Sequence, residues 1–502
     1  MCPRDHRVTG RARRVWRWVT GSSFVLGLVS LVWFLLRTGT KPSRAAYPCQ
    51  RAAAAHGGAW LVTYLLPLLP LAALRRWGRS RGRLAALCLA CGLLATTAFW
   101  IVRHPVVSEA RAFVPEGLRL ELAEAAATRG PASDVFVVNG ATGDGVGVET
   151  LVRLMGANGI AFYRTARRTD TGSPAGLIAG EDVVLIKVNA QWSERGGTNT
   201  DLLAALIAAV LDHPDGFTGE IVVADNGQAQ YGSSGSGGSL DWARSNAEDR
   251  SRSAQRVVDD ASARGAVSTY LWDTITTRRV EEYVDGDLED GYVVEEDRDP
   301  ETGALIAYPK FRTVHGTFIS FKRGIWDEDT GGYDSEHLRV INLPVLKSHS
   351  LFGVTACVKH YMGVTSDKLT ARLGARAHNT IGAGGMGTLI AATRAPTLNL
   401  LDAIWVNAMP GSGPATRYRH ATRLNVIAAS TDAVALDYWA AKHLLMPAAE
   451  AGGHTYLSSI DPDNASRSSF GGWLRSSRDE ILDAGLQATT DEEAINVYVS
   501  DL

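Results

Sequence analysis

An α/β fold is predicted, with a mixed, mainly parallel sheet carrying helices on both faces, preceded by a three-helix transmembrane region. Three observations lead to it. Short runs rich in Val, Ile and Leu alternate with amphipathic helical segments from residue 134 onward. Three uncharged apolar stretches occupy much of the first 104 residues. The charge also divides: residues 1–104 carry 16 basic residues against one acid, Asp5, whereas 105–502 carry 35 basic and 52 acidic residues. The net charge of -2 over 502 residues conceals that division. Such asymmetry marks two bodies in different settings, here a membrane region at 1–104 and an α/β domain at 105–502. The acidic larger part argues against nucleic-acid binding.

The apolar stretches are 18–36, 52–74 and 84–102. About 20 apolar residues cross the hydrocarbon core as a helix, so each is long enough. The first is too long for a signal peptide, and no small-residue cleavage site follows before Arg37. Pro67 and Pro70 would kink the second, which neighbouring helices tolerate. Arg4, Arg7, Arg11, Arg13, Arg14 and Arg17 precede the first stretch, and Arg75, Arg76, Arg79, Arg81 and Arg83 lie between the second and third. Between the first and second stand only Arg37, Lys41, Arg44 and Arg51. The positive-inside bias puts the N-terminus in the cytoplasm. A multi-pass protein of the cytoplasmic (inner) membrane is expected, with the lipid bilayer as partner and 105–502 extracytoplasmic.

Of five cysteines only Cys357 lies in the larger part. Cys88 and Cys91 form a CxxC inside an apolar helix, where they read as small hydrophobes. With no cysteine quartet, a protein-ligated iron–sulfur cluster is not expected. Cys49, in the outer loop, is left without a role.

Within the larger part, 134–138 reads as a buried strand and 148–155 as the helix after it. Segment 182–189 is a strand, 202–212 a helix, 220–225 a strand, 245–265 a helix, and 267–272 and 338–346 are strands. The acidic interval 285–301 and the turns 299–303 and 327–334 read as β-hairpin excursions. Neither turn has the Gly and Glu spacing of a calcium loop. Segment 233–239 is a flexible loop. Downstream, 398–406 is a strand bearing one charge, Asp402, and 425–445 is a strand, turn and helix with Asp432 and Asp437 near the helix start and Asp432 as cap. The loop 139–149 lacks a phosphate-binding glycine pattern, and its Asp144 and Glu149 would repel phosphate. GAGGMG at 382–387 is likewise glycine-rich but follows no clear strand, and a phosphate-binding loop and a mobile loop over the site are equal readings. No G-x-S-x-G or H-E-x-x-H is present.

In open α/β sheets, ligands bind beyond the carboxyl ends of the strands. Lys187 and Asn189 stand there after 182–186, and Asp225 and Asn226 after 220–224. Lys347 and His349 follow 340–346, and Lys359 and His360 end a further apolar run. Thr198 and Thr200 lie just before a helix, where free N–H groups receive anions. Lys187, Lys347 and Lys359 supply positive charge for a phosphate, carboxylate or developing oxyanion. His349 or His360 offers proton transfer or metal ligation, and Asp225 orients a histidine or ligates a metal. A divalent metal is thus a candidate cofactor, and lysines gathered in an acidic body point to an anionic small molecule.

The segments VLIKVN with GTNTD, IVVADN, NLPVLKSHSLFGVTACVKHYMGV, and LDAIWV with AASTDAVALDYWA resemble the domain-of-unknown-function-362 family, over roughly residues 180–445. The most specific piece is Lys347 and His349 followed by Lys359 and Gly363. The resemblance implies no settled activity. Some relatives append a ferredoxin-like cluster domain, which is lacking here, and many have Lys-Asn where this chain has Lys359-His360. The expectation is a membrane-anchored enzyme using His349, Lys347, Lys187 and Asp225 on an anionic small molecule or envelope precursor. Asn189, Thr198, Thr200, Asn226, Lys359 and His360 would bind the ligand. The alternative is a non-catalytic tethered ligand- or metal-binding module.

Overall fold

The structure is a computed structural model that describes residues 28, 30–36, 118–228, 237–467 and 469–502. Two compact units divide the chain, Met1–Arg111 and Ala112–Leu502. In the first, Leu28 and residues 30–36 are helical. The stretches 52–74 and 84–102, Cys49, Cys88, Cys91 and most of 18–36 lie outside the described residues. Among the described residues no helix is long and apolar enough to cross a membrane.

The second unit is α/β. Its strands begin with β1 (Ser133–Asn139), the short pair β2 (Tyr163–Arg164) and β3 (Gly172–Ser173), β4 (Val183–Lys187), β5 (Glu220–Asp225) and β6 (Ala266–Leu271). An inserted antiparallel sheet follows: β7 (Gly291–Arg298), β8 (Leu305–Arg312), β9 (Phe318–Ser320), β10 (Gly324–Asp327) and β11 (Gly332–Asp334). Then come β12 (Leu338–Asn342), β13 (Val345–His349), β14 (Gly353–Thr355), β15 (Leu398–Asn407), β16 (Thr422–Ser430) and β17 (Ile495–Asp501).

The ten-stranded main sheet runs β17-β1-β16-β15-β12-β4-β5-β6, with β13 and β14 branching beside β15. Along that path only β16 is antiparallel to its neighbours. The mixed, mainly parallel sheet read from the apolar runs is thus present, and both its faces are covered. Helices α1 (Gly145–Ala157), α2 (Thr200–Leu211) and α3 (Ala254–Ala261) pack one face, burying Leu151, Leu206 and Val257 against Val184 and Ile186. The other face takes the inserted sheet and three helices. These are α6 (Gly385–Ala392), α7 (Ala433–Ala440) and α9 (Phe470–Asp483). The short helices α4 (Cys357–His360) and α5 (Asp367–Arg372) precede α6, and α8 (Met446–Ala451) follows α7.

Three sequence expectations are corrected. The run 338–346 is two strands, because Pro344 has no N–H to continue the ladder. The start of β15 pairs with β12 and its end with β13. The helix expected over 245–265 forms only at Ala254–Ala261. Upstream, Ser, Asn and Asp side chains compete for the backbone: Ser245 Oγ donates to the Arg250 carbonyl, Asp249 accepts from Ser251 N, and Ser253 caps α3. GAGGMG is not a loop throughout, since its second half starts α6. A Cβ on Gly387 would lie 2.1 Å from Ser477 O, so the glycine sets the approach of α6 to α9. Asp144, in the glycine-rich loop after β1, caps α1 through Gly147 N, taking the place an anion would need.

Candidate functional site

A polar row crosses the buried sheet at the ends of β4 and β12 and the start of β15. Lys187 on β4 pairs in register with Asn342 on β12, Asn342 with Asn399 on β15, and Asn399 with Ser430 on β16. Asn342 Nδ2 donates to Asn399 Oδ1 at 2.9 Å and to the Cys357 carbonyl at 3.1 Å, and Asn399 Nδ2 donates to Ser430 O. Alternation would make these positions apolar in a sheet covered on both sides. Their polarity is the first sign of a site.

Lys187 is fully buried and donates to Asp225 Oδ1 at 2.8 Å, while Asp225 Oδ2 accepts from Ala190 N at 2.7 Å. Burial pulls the Lys187 pKa down, and Asp225 opposes it. Gly363 closes over the pair: a Cβ there would lie 2.3 Å from Asp225 Oδ1 and 2.6 Å from Lys187 Nζ. Its carbonyl also accepts from Asn226 N.

Lys347 is likewise fully buried, and its ammonium donates to the Gly196 carbonyl. Burial, then the nearby Lys359, push its pKa down to about 7, with Asp225 and Asp402 opposing. Lys359 is 5 % exposed and sits 5.0 Å above the Phe352 ring. Its pKa is pushed down to about 8 by burial. Among the described residues neither Lys347 nor Lys359 forms an ion pair; of the three lysines only Lys187 does. Asp402, buried under the same cluster, is raised to about 6 by its burial. Its oxygens accept from Asn199 N and Ile404 N.

His349 extends β13 on the same face as Lys347, two residues on. Its Nδ1 accepts from Leu351 N at 3.1 Å and Phe352 N at 3.4 Å, so in the neutral ring the proton sits on Nε2. Burial, then Lys359, His378 and Lys347, hold its pKa well below the usual histidine value. His360 has both nitrogens facing acceptors, Asn342 Oδ1 at 2.7 Å and the Val188 carbonyl at 2.9 Å. Burial and the lysines keep it neutral, which leaves one of those contacts without a proton. The His349 lone pair is taken by two backbone N–H groups, and that of His360 faces a protein oxygen. Among the described residues no group of three or more His, Cys, Asp or Glu side chains is placed to hold a metal ion.

One turn of helix brings Lys359 and His360 here. Asp437, on α7, accepts from the free N–H groups of Cys357 and Val358 at 2.6 and 2.9 Å, capping α4 from across the core. Burial lifts that carboxyl to about 7. Beside Lys359, Asp367 is held at about 2 against its burial by His378 and Arg376.

The structure therefore couples Lys187, Asp225, Lys347, Lys359 and His360, and joins His349 to them through Lys347 and Lys359. Of the other expected binding residues, Thr198, Thr200 and Asn226 spend their side chains on the scaffold, whereas Asn189 Oδ1 is buried without a partner among the described residues. Thr198 Oγ1 bridges Asn189 N and the Leu343 carbonyl, and Thr200 donates to Arg252 O. Asn226 Nδ2 donates to Thr276, Tyr292 and the Thr365 carbonyl. Asn189, Thr198 and Thr200 line a neighbouring pocket of about 350 Å³, its open mouth included, with Trp192 and Trp242. None of the lysines lines it. Asn342 and Asp367 were missed in the sequence, and Asp437 was placed near a helix start without its link to α4. Asn342 alone was findable there, as the polar end of an apolar strand.

Fold and site define a class: an α/β domain with a cationic cluster at the carboxyl ends of its parallel strands. Residues 335–442 match the family model described as Domain of unknown function (DUF362). That segment runs from β12 into the helix after β16 and carries Lys347, His349, Lys359, His360 and Asp437, which supports the family resemblance there. No curated protein and no solved structure matches the chain.

Proposed function

We propose that the α/β unit is an enzyme that binds an anionic small molecule between Lys347, Lys359 and His349. The observation that carries this is the pair of buried lysines without a carboxylate partner among the described residues. A buried ammonium costs several kcal/mol unless paired, so a fold that keeps two such groups close enough to depress one another's charge is suited to an anion that completes them. His349, neutral with its proton on Nε2, is a donor to developing negative charge; its Nδ1, already accepting two backbone N–H groups, leaves it poorly suited as a base. Lys347, near neutral in pKa, offers proton transfer. Asp225 positions Lys187 and reaches the ligand only through it.

Sulfate, whose charge is constant near neutrality, tests the reading. Calorimetric binding to the intact protein should weaken as pH rises through about 7 and 8 and Lys347 and Lys359 lose their protons. The expected slope is roughly tenfold or more per pH unit above pH 8. Sulfate affinity that is flat from pH 6.5 to 9.5 would sink the proposal.

The apolar stretches 18–36, 52–74 and 84–102 and the arginine bias around them support a setting outside the cytoplasm, tethered to the inner membrane. The substrate would then be an anionic envelope precursor. A compartment-sensitive reporter fused after Leu502 should be active only outside the cytoplasm; activity inside overturns the topology.

A further inference from the structure

On the strand next to Lys347, Thr355 of β14 is its register partner, and Asn407 of β15 is its partner on the other side. Paired residues of neighbouring strands project from the same face. Three donors therefore stand in a row across three strands, with His349 two residues along the middle one. Thr355 and Asn407 are both more than nine-tenths buried. Among the described residues neither the Thr355 hydroxyl nor Asn407 Nδ2 has a hydrogen-bond partner. The Asn407 amide is oriented by Met409 N, which donates to its Oδ1 at 3.1 Å, so it is the N–H₂ end, beside Gly413, that is left unpaired. An unpaired buried donor costs about 1–3 kcal/mol, and here two of them flank Lys347 in register on neighbouring strands.

We infer that Thr355 and Asn407 are ligand-binding residues, completing with Lys347, Lys359 and His349 Nε2 a cradle for a tetrahedral oxyanion, a phosphoryl or sulfo group. This rests on the anion-site reading above and deepens it. A carboxylate presents two oxygens in one plane; donors arriving from three strands, α4 and His349 fit the several acceptor oxygens of a tetrahedral group better. Lys347 forms the floor, fully buried, and Lys359 and His349 the rim, 5 % and 6 % exposed.

The test uses the full chain and two probes, sulfate and acetate, by calorimetry alongside thermal melting. Thr355→Val keeps shape and removes only an unpaired hydroxyl. It should weaken sulfate binding about tenfold while leaving the ligand-free melting temperature equal or higher. Asn407→Asp keeps the oxygen that receives Met409 N, turns the donor into an acceptor, and should weaken sulfate more. Wild type should prefer sulfate to acetate at least tenfold. If Lys347→Met abolishes sulfate binding but both other variants bind as wild type, the cradle is wrong and the anion site stands. If Lys347→Met also binds as wild type, the anion site itself falls. A Thr355→Val protein that melts well below wild type would mark the hydroxyl as structural and overturn its assignment.

Discussion

Asp225→Ala should destabilise the α/β unit by about 3–5 kcal/mol, the cost of breaking a buried ion pair from one side. Lys187 is fully enclosed, and its ammonium has Asp225 at 2.8 Å and the Val188 carbonyl at 3.3 Å as its contacts. Removing the carboxylate also orphans Ala190 N. The pH dependence has a definite sign. Without Asp225, which raises the Lys187 pKa, the folded value drops further below 10.5. Between that folded value and 10.5 the unfolded chain binds the extra proton, so the variant gains stability as pH rises through that window. Replacing both partners with apolar residues of similar volume, Lys187→Met with Asp225→Leu, should recover most of the loss. Chemical denaturation of the three proteins at pH 7 and pH 10 decides it. A double variant no more stable than Asp225→Ala would mean the pair is not the term that matters. Gly363→Ala should resemble Asp225→Ala, because its methyl would displace both partners.

How much of this was legible in the sequence depends on what kind of constraint each feature obeys. β4, β5 and β15 were readable because a strand buried on both faces must be apolar throughout, and Lys187 and Asp225 stood out as polar interruptions at their ends. The same rule applied to VIN at 340–342 points to Asn342, yet the run was read through Pro344 as one strand, hiding its end. Asp437 could not be found this way. It caps α4 from 80 residues away, a relation only tertiary packing creates. Thr198 and Thr200 looked like part of an open N-terminal anion site, but their N–H groups donate to the Asn189 and Asn246 carbonyls and their hydroxyls to the Leu343 and Arg252 carbonyls. Sequence shows which side chains have hydrogen-bonding capacity; it does not show which have already used it. That is also why Thr355 and Asn407 went unnoticed, since nothing local distinguishes an unpaired threonine from a paired one.

Lys347→Met should separate stability from function in opposite directions. In the folded protein Lys347 titrates at about 7, against 10.5 unperturbed, chiefly because burial disfavours its charge. Between those values the unfolded chain holds the proton and the native state does not, so native stability rises with pH from about 7 to 10.5. At pH 7 and below the fold carries the full penalty of that ammonium, on the order of a few kcal/mol. Methionine has nearly the same volume and no charge to desolvate; against that gain it leaves the Gly196 carbonyl without its donor, at about 1 kcal/mol. The ligand-free variant should therefore melt higher than wild type at pH 7, and the gap should close as pH approaches 10.5. Sulfate binding at pH 7 should fall at least a hundredfold, because the fully buried cation and its proton are lost together. Residual alkaline stabilisation from Lys359, whose folded value is about 8, should persist in the variant. A variant that melts lower than wild type at pH 7 would show the lysine to be a structural tie to Gly196. One that melts higher yet binds sulfate unchanged would show the anion to sit elsewhere.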